Sequence, residues 1–149
     1  MKHLFDAAAT SELKARIERL RADSPRQWGK MTPAQAMAHC AIVMEVAVGD
    51  RTPPRMLIGR IIGPLVKKKI LRPGDPPKNS PTDKVLVVAD DRDIDVERRR
   101  LIALVDRFCA GGHARCTTHP HMFFGPMTPD EWSLLMYKHI DHHLRQFGG

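Results

Sequence analysis

Apolar residues recur at helical spacing in four stretches of the chain. In the first, Leu13, Ile17 and Leu20 stand at i, i+4 and i+7, which places them on one face of a helix. The third repeats the spacing with Ile94, Leu101, Leu104, Val105 and Phe108. The pattern predicts four long helices, at residues 6–21, 33–48, 91–108 and 129–147.

Two of these helices share the same start signal. Thr32-Pro33 precedes Gln35, and Thr128-Pro129 precedes Glu131. Threonine is a strong N-cap, and proline suits the first helical position because its missing N–H would be unpaired there anyway. Gln35 and Glu131 can each hydrogen-bond back to the cap. We therefore predict a capping box at the start of the second and fourth helices.

The periodicity breaks between residues 51 and 82, where seven prolines occur. Residues 56–71 are apolar and basic, and they predict one or two short helical turns broken at Gly63-Pro64. Residues 85–88 are predicted to form a short extended piece. This segment is too long for a tight turn between neighbouring helices. We expect an all-α four-helix bundle in a single domain covering residues 1–149, with a long crossover between its second and third helices.

Composition narrows the classes of protein. Of the 149 residues, 42% are hydrophobic and only 5% aromatic, which is ordinary for a helical globular chain. No apolar run approaches the ~18 residues of a membrane span, and no signal peptide is evident, so we expect a cytoplasmic protein without a membrane partner. The net charge of +7 would favour anionic ligands. A solvated basic surface explains this charge better than nucleic-acid binding, because no nucleic-acid motif accompanies it.

The candidate chemistry lies in three histidines. His139 and His143 stand one turn apart on one face of the last predicted helix, where two imidazoles can share a metal ion. With 8 histidines in the chain, such a pair alone is close to a chance event. His39 lies inside the apolar stripe of the second helix and can supply a third ligand if the two helices are neighbours. Asp141 and His142 point to other faces of the helix.

Other interpretations compete with this one. A lone core histidine such as His39 more often bonds a carbonyl group, and His139 and His143 can simply form a polar face. Cysteine and histidine also alternate in a C-x3-H-x2-C-x2-H pattern, which is a weaker candidate for structural zinc; it comprises Cys109, His113, Cys116 and His119. Cys40 is expected to be a buried small hydrophobe rather than a nucleophile.

Several segments resemble the DinB-like (YfiT-like) superfamily, and within it the domain of unknown function numbered 1569. These are residues 28–39, 128–132 and 138–147, and the similarity extends over essentially the whole chain. The resemblance implies an up-up-down-down four-helix bundle with metal ligands at His39, His139 and His143. It also implies a divalent ion, commonly zinc or nickel, and a homodimer. Some relatives are S-transferases that use low-molecular-weight thiols other than glutathione.

Two functional hypotheses follow. In the first, the protein is a metal-dependent enzyme, in which the ion activates a thiol or water for attack on a small electrophilic substrate. In the second, the protein is a non-catalytic, metal-stabilised helical binding module. The three histidines are expected to be metal ligands, and no residue is assigned a catalytic role.

Overall fold

The computed structural model describes residues 1–149 as an all-helical chain with five α-helices and no β-strand. The helices are α1 (Ala7–Arg19), α2 (Pro33–Ala47), α3 (Leu57–Ile70), α4 (Ile94–Arg115) and α5 (Pro129–Arg145). A single 3₁₀ turn occupies Lys84–Leu86. None of the helices combines the length and the apolarity that crossing a bilayer requires.

Both predicted capping boxes are confirmed. Thr32 Oγ1 accepts from the backbone N–H of Gln35 at 3.2 Å, and Gln35 Oε1 accepts from the backbone N–H of Thr32 at 3.0 Å. The same reciprocal pair joins Thr128 and Glu131, at 3.2 and 2.9 Å. The two caps fix where α2 and α5 begin, and so they fix which side chains of each helix face inward.

Helix α2 lies at the centre of the molecule. It packs against α4 and α5, while α1 packs against the same two helices from another side. Nearly every residue of α2 is buried, so α2 lacks the exposed polar face expected of a surface helix. Large side chains from α1, α2, α4 and α5 fill the core, among them Leu13, Ile17, Met37, Met44, Leu101, Trp132 and Ile140. Full burial of each such side chain stabilises the fold by about 1.5–3 kcal/mol.

The expected break at Gly63-Pro64 is wrong. Residues Leu57–Ile70 form one continuous helix, with Pro64 inside it. Proline there removes one backbone hydrogen bond, but tertiary contacts hold both halves of the helix. Gly59 and Gly63 press against the backbone of Phe123, where any Cβ would overlap its carbonyl oxygen. At the other end, the Lys138 amine donates to the carbonyl oxygen of Ile70 at 2.7 Å.

Two other boundaries also differ from the prediction. Helix α4 was expected to end at residue 108, but it continues to Arg115, with Gly112 leaving the helical region at φ 57° and ψ −156°. Gly112 therefore kinks the helix instead of ending it. The extended piece predicted at 85–88 begins inside the 3₁₀ turn, and Val87, directly after the turn, has extended backbone. Asp83 holds this turn by accepting from the backbone N–H of Val85 at 2.9 Å.

Candidate metal centre

The structure brings the three predicted histidines together. His39 comes from α2, and His139 and His143 come from successive turns of α5. Their ring centroids are 4.8–5.0 Å apart, with the rings edge to face. One ring nitrogen from each histidine can be chosen so that all three lie within 4.8 Å of one another. This spacing suits three ligands around one ion.

Hydrogen bonds on the far side of two rings set their orientation. His39 Nδ1 lies 2.8 Å from the carbonyl oxygen of Leu86, in the 3₁₀ turn. His143 Nδ1 lies 2.9 Å from Oε1 of Gln146, whose own Nε2 donates to the carbonyl oxygen of Trp28 at 2.9 Å. Because a carbonyl oxygen only accepts, both Nδ1 atoms carry the proton. Their Nε2 atoms therefore hold lone pairs, as they must to bind a metal.

The ring of His139 faces the ring of His39, and no hydrogen bond to another group fixes which of its nitrogens carries the proton. His139 Nε2 lies 3.0 Å from His39 Nε2, while His139 Nδ1 is buried without a partner. Since His39 Nε2 presents a lone pair, His139 Nε2 must either donate a proton to it or share a cation with it. Neutral imidazole nitrogens of this kind suit zinc, nickel, copper and iron. The donor set and the unpartnered nitrogen thus fit a transition-metal ion.

Burial keeps the three imidazoles in their neutral form. His39 and His143 are 4% and 7% exposed. Burial lowers the pKa of His143 to about 3, and it lowers the pKa of His39 against a smaller opposing effect of its hydrogen bond to Leu86. Burial, followed by the charge of the neighbouring imidazoles, holds the pKa of His139 well below its usual range. A neutral ring at neutral pH is the form that binds metal.

Asp141 and His142, which stand between His139 and His143 on α5, make contacts of their own. Asp141 forms ion pairs with Arg16 at 2.6 Å and with Arg145 at 3.0 Å, which ties α5 to α1. The His142 ring lies against the rings of Trp28 and His143, with centroids 5.4 and 5.3 Å away, and is not one of the three converging ligands. Both residues thus lie on other faces of the helix, as predicted.

The alternative zinc pattern does not assemble, because its four residues lie against four different groups. Cys109, His113, Cys116 and His119 contact, in that order, the carbonyl of Leu4, the carboxylate of Asp130, the carbonyl of Ala47 and the carbonyl of Pro53. The three-histidine cluster is the one group of metal-ligating side chains that the structure brings together. Cys40 is fully buried and burial raises the pKa of its thiol, which confirms its role as a core residue.

Two cavities border α5 and are not lined by the clustered histidines. The larger, about 400 Å³, runs between the N-terminus, α1 and α5, and includes Tyr137 and Lys138 in its lining. The smaller, about 200 Å³, is lined in part by Trp28 and His142. None of the three clustered histidines lines either cavity.

Sequence reasoning missed the groups that orient the rings. The carbonyl of Leu86 is a backbone atom and carries no signature in the sequence. Gln146, three residues after His143 on the same helical face, was the one detectable signal. His121, in the loop before α5, was not among the candidate residues, and its Nδ1 accepts from the backbone N–H groups of Phe123 and Phe124, each at 3.1 Å.

Fold and site together define an all-helical protein with an inward-facing three-histidine cluster. The chain belongs to the family described as "Protein of unknown function (DUF1569)", whose model matches residues 3–148. No curated protein and no solved structure matches the chain.

Proposed function

We propose that His39, His139 and His143 bind one divalent metal ion, with zinc or nickel as the expected ion. The observation that carries this proposal is the convergence of their ring nitrogens within 4.8 Å. Outer hydrogen bonds to Leu86 and Gln146 support it, because such bonds orient metal-ligating histidines and fix their tautomers. Three protein ligands leave coordination positions for another molecule, as catalytic zinc sites do.

We also propose that the protein belongs to the DinB-like superfamily and has its up-up-down-down four-helix bundle. Helices α1, α2, α4 and α5 would be the bundle, and α3 would belong to the crossover between α2 and α4. The shared core of those four helices supports this assignment. We also propose that residues 1–149 form one domain, since the core includes residues from Leu4 to Phe147.

The function that the site supports best is that of a metal-dependent enzyme acting on a small electrophilic substrate, with water or a low-molecular-weight thiol as nucleophile. A bound ion would supply Lewis acidity and make such a nucleophile available at neutral pH. The chain's own residues hold the site for it. Leu86 and Gln146 fix two rings, and the burial of all three keeps them unprotonated. S-transfer or hydrolysis is the expected reaction class.

A non-catalytic module is the second candidate, and one observation favours it. The two cavities that border α5 are lined by none of the three histidines. An ion held by His39 and by the α5 pair would then serve to join α2 to α5. Such a module would lose stability on metal removal and would turn over no substrate.

Metal analysis tests the shared premise. The wild-type protein, purified without a histidine tag, is expected to contain about one equivalent of metal by mass spectrometry. His139→Ala is expected to lose it, whereas His113→Ala, at an exposed histidine outside the cluster, is expected to keep it. Equal metal content in both variants would show that the ligand assignment is wrong. Screening the metal-loaded protein for thiol transfer and hydrolysis then separates the enzyme from the module.

We further propose that the protein is cytoplasmic and forms a homodimer. Five aliphatic side chains of α3 are 40–79% exposed; they are Leu57, Ile58, Ile61, Ile62 and Leu65. A contiguous apolar strip of this kind is typical of an interaction surface, and two copies can bury it against each other in a symmetric contact. Light scattering is expected to give a dimer for the wild type and a monomer for Ile61→Glu. A monomeric wild type would show that this element of the proposal is wrong.

A further inference from the structure

Arg55 is a half-buried arginine without an acceptor. Its Nε atom is buried and has no hydrogen-bond partner, and the guanidinium forms no ion pair within the chain. The other arginines without partners are all exposed to solvent, namely Arg19, Arg60, Arg72, Arg99 and Arg115. The Nε–H group of Arg55 is taken out of water without a partner, which is unfavourable, while Nη1 and Nη2 stay accessible. An acceptor from outside the chain would satisfy the buried group.

A second donor lies in the turn that precedes α5, close enough to Arg55 for the two side chains to interact electrostatically. Residues His121 and Gly125 close this turn with backbone hydrogen bonds of 2.8 and 3.0 Å. Because His121 Nδ1 accepts two backbone N–H bonds, its lone pair is used there and Nε2 carries the ring's proton. Burial, and after it the charge of Arg55, lower the pKa of His121 to about 4, which is consistent with a neutral ring.

Gly125 makes room for the guanidinium. A Cβ at this position would lie 3.1 Å from Nη1 of Arg55 and 3.3 Å from Nη2. Gly125 also has φ +81°, a conformation that side chains rarely adopt. The turn thus brings Arg55 close against its backbone while offering no carboxylate to it.

The start of α3 adds to the positive field. Helix α3 begins two residues after Arg55, at Leu57, and its N-cap Met56 makes no side-chain hydrogen bond. The other four α-helices each have a side-chain cap, supplied by Asp6, Thr32, Asp93 and Thr128. The first N–H groups of α3 consequently keep their partial positive charge near Arg55.

This group of donors adjoins the histidine cluster. The His121 ring lies 5.3 Å from the ring of Trp132, which stands on α5 two turns before His139. A charge on His121 would also act on His139, lowering the pKa of its ring. The chain has three buried side-chain polar atoms without partners: Arg55 Nε, Trp132 Nε1 and His139 Nδ1. All three are nitrogens, two of them can only donate, and none is matched by an acceptor.

We propose that Arg55, together with the Nε2–H group of His121, binds a carboxylate of the small molecule that reacts at the histidine cluster. The reaction at the histidine cluster rests on the proposed function, whereas the binding of the carboxylate rests on Arg55 and His121. The planar fork of a guanidinium matches the two oxygens of a carboxylate, and one positive charge balances one negative charge. A phosphate dianion would leave a negative charge unpaired. The substrate class is therefore a small organic acid.

Titration with three probes tests the proposal. Benzoate, benzamide and inorganic phosphate are titrated into the protein in turn, followed by ¹H–¹⁵N NMR shifts, once after chelator treatment and once after loading with zinc. Benzoate is expected to bind about 10-fold or more tightly than the neutral benzamide, since a charge-assisted bidentate pair is lost with the carboxylate. Arg55→Gln is expected to weaken benzoate about 10-fold or more. Arg60→Gln, at an exposed unpaired arginine in α3, is expected to change it less than about twofold.

Other results would overturn it. Equal benzoate affinity in Arg55→Gln and wild type, or no benzoate binding to the wild type, removes the subsite. Tighter binding of phosphate than benzoate, dependent on Arg55, overturns the carboxylate class. The Tm of ligand-free Arg55→Gln is a second measurement. It should equal or exceed that of the wild type, because the variant removes an uncompensated half-buried charge, and a large fall in Tm would assign Arg55 a structural role instead.

Metal content of the same samples separates this inference from the proposed function. Arg55-dependent benzoate binding to protein that takes up no metal would leave the subsite standing and remove the metal centre. Metal uptake together with benzoate binding that does not depend on Arg55 would leave the metal centre standing and remove the subsite.

Discussion

The Nε2 atoms of His39 and His139 lie 3.0 Å apart, although the two residues are separated by 100 positions in the chain. His39 Nε2 presents a lone pair, because the ring's proton is on Nδ1, which donates a hydrogen bond to the carbonyl oxygen of Leu86. An ion between the two rings would replace a single hydrogen bond with ligand bonds to three helical positions. The stability of the protein should therefore respond strongly to metal.

Zinc at about 100 times its dissociation constant should stabilise the wild type by about 2.7 kcal/mol, if the unfolded chain does not bind it. For a chain of this size, that corresponds to a rise in Tm of about 5–10 °C. Differential scanning calorimetry with and without a chelator measures the rise. The rise should vanish in His143→Ala and persist in His113→Ala, and a rise of equal size in both would contradict the site.

Gln146→Leu should weaken metal binding about 10- to 100-fold, because the side chain that orients His143 and fixes its tautomer is lost. A competitive titration with a chromophoric chelator gives the affinity. Gln146 also donates to the carbonyl of Trp28, so some loss of stability is expected as well.

Gln27→Leu is the matched control, since Gln27 is exposed and its side-chain amide donates only to the nearby Pro25 carbonyl. Unchanged metal affinity in Gln146→Leu would mean that His143 needs no outer partner to bind.

Gly63→Ala should displace α3 from the turn at Phe123, because the added methyl group would overlap its carbonyl oxygen. The expected loss of stability is about 1–3 kcal/mol by urea unfolding, typical of overpacking. Lys68→Ala, at an exposed position of the same helix outside the apolar strip, should change stability by less than about 0.5 kcal/mol. A neutral Gly63→Ala would show that α3 is free to shift.

Glu45 should stabilise the packing of α2 on α4 in a pH-dependent manner. Burial raises the pKa of its carboxyl group, but hydrogen bonds from Arg100 and Arg51 together outweigh burial and leave the pKa lowered. A lowered pKa means that the contribution is complete above the unfolded value of about 4.3 and is lost as the pH falls through the folded value.

Glu45→Gln should therefore be less stable than the wild type at pH 7, and the difference should shrink below about pH 4.3. Urea unfolding at pH 7, 5 and 4 measures the difference. A difference that grows on acidification would contradict the sign of the shift.

The sequence predicted the parts of the molecule that local chemistry determines. Thr32 and Thr128 start their helices where the capping pattern indicates, and from these starts the inward positions of His39, His139 and His143 follow. The path of α3 through Pro64 was not predictable, because contacts with Phe123 and Lys138 hold it, far away in the sequence. The partner of His39 is a backbone carbonyl, and the lack of a partner at Arg55 is visible only once its surroundings are known.

The bond from His39 to the carbonyl of Leu86 bears on how this chain can change length over evolution. His139 and His143 tolerate no insertion between them, since one added residue would turn one ring away by about 100°. The connection from α2 to α4 can gain or lose residues before position 84 without altering the cluster. Its last few residues cannot, because they must return to His39. Natural variants of this protein should therefore differ in length upstream of the 3₁₀ turn and keep the spacing from that turn to α4.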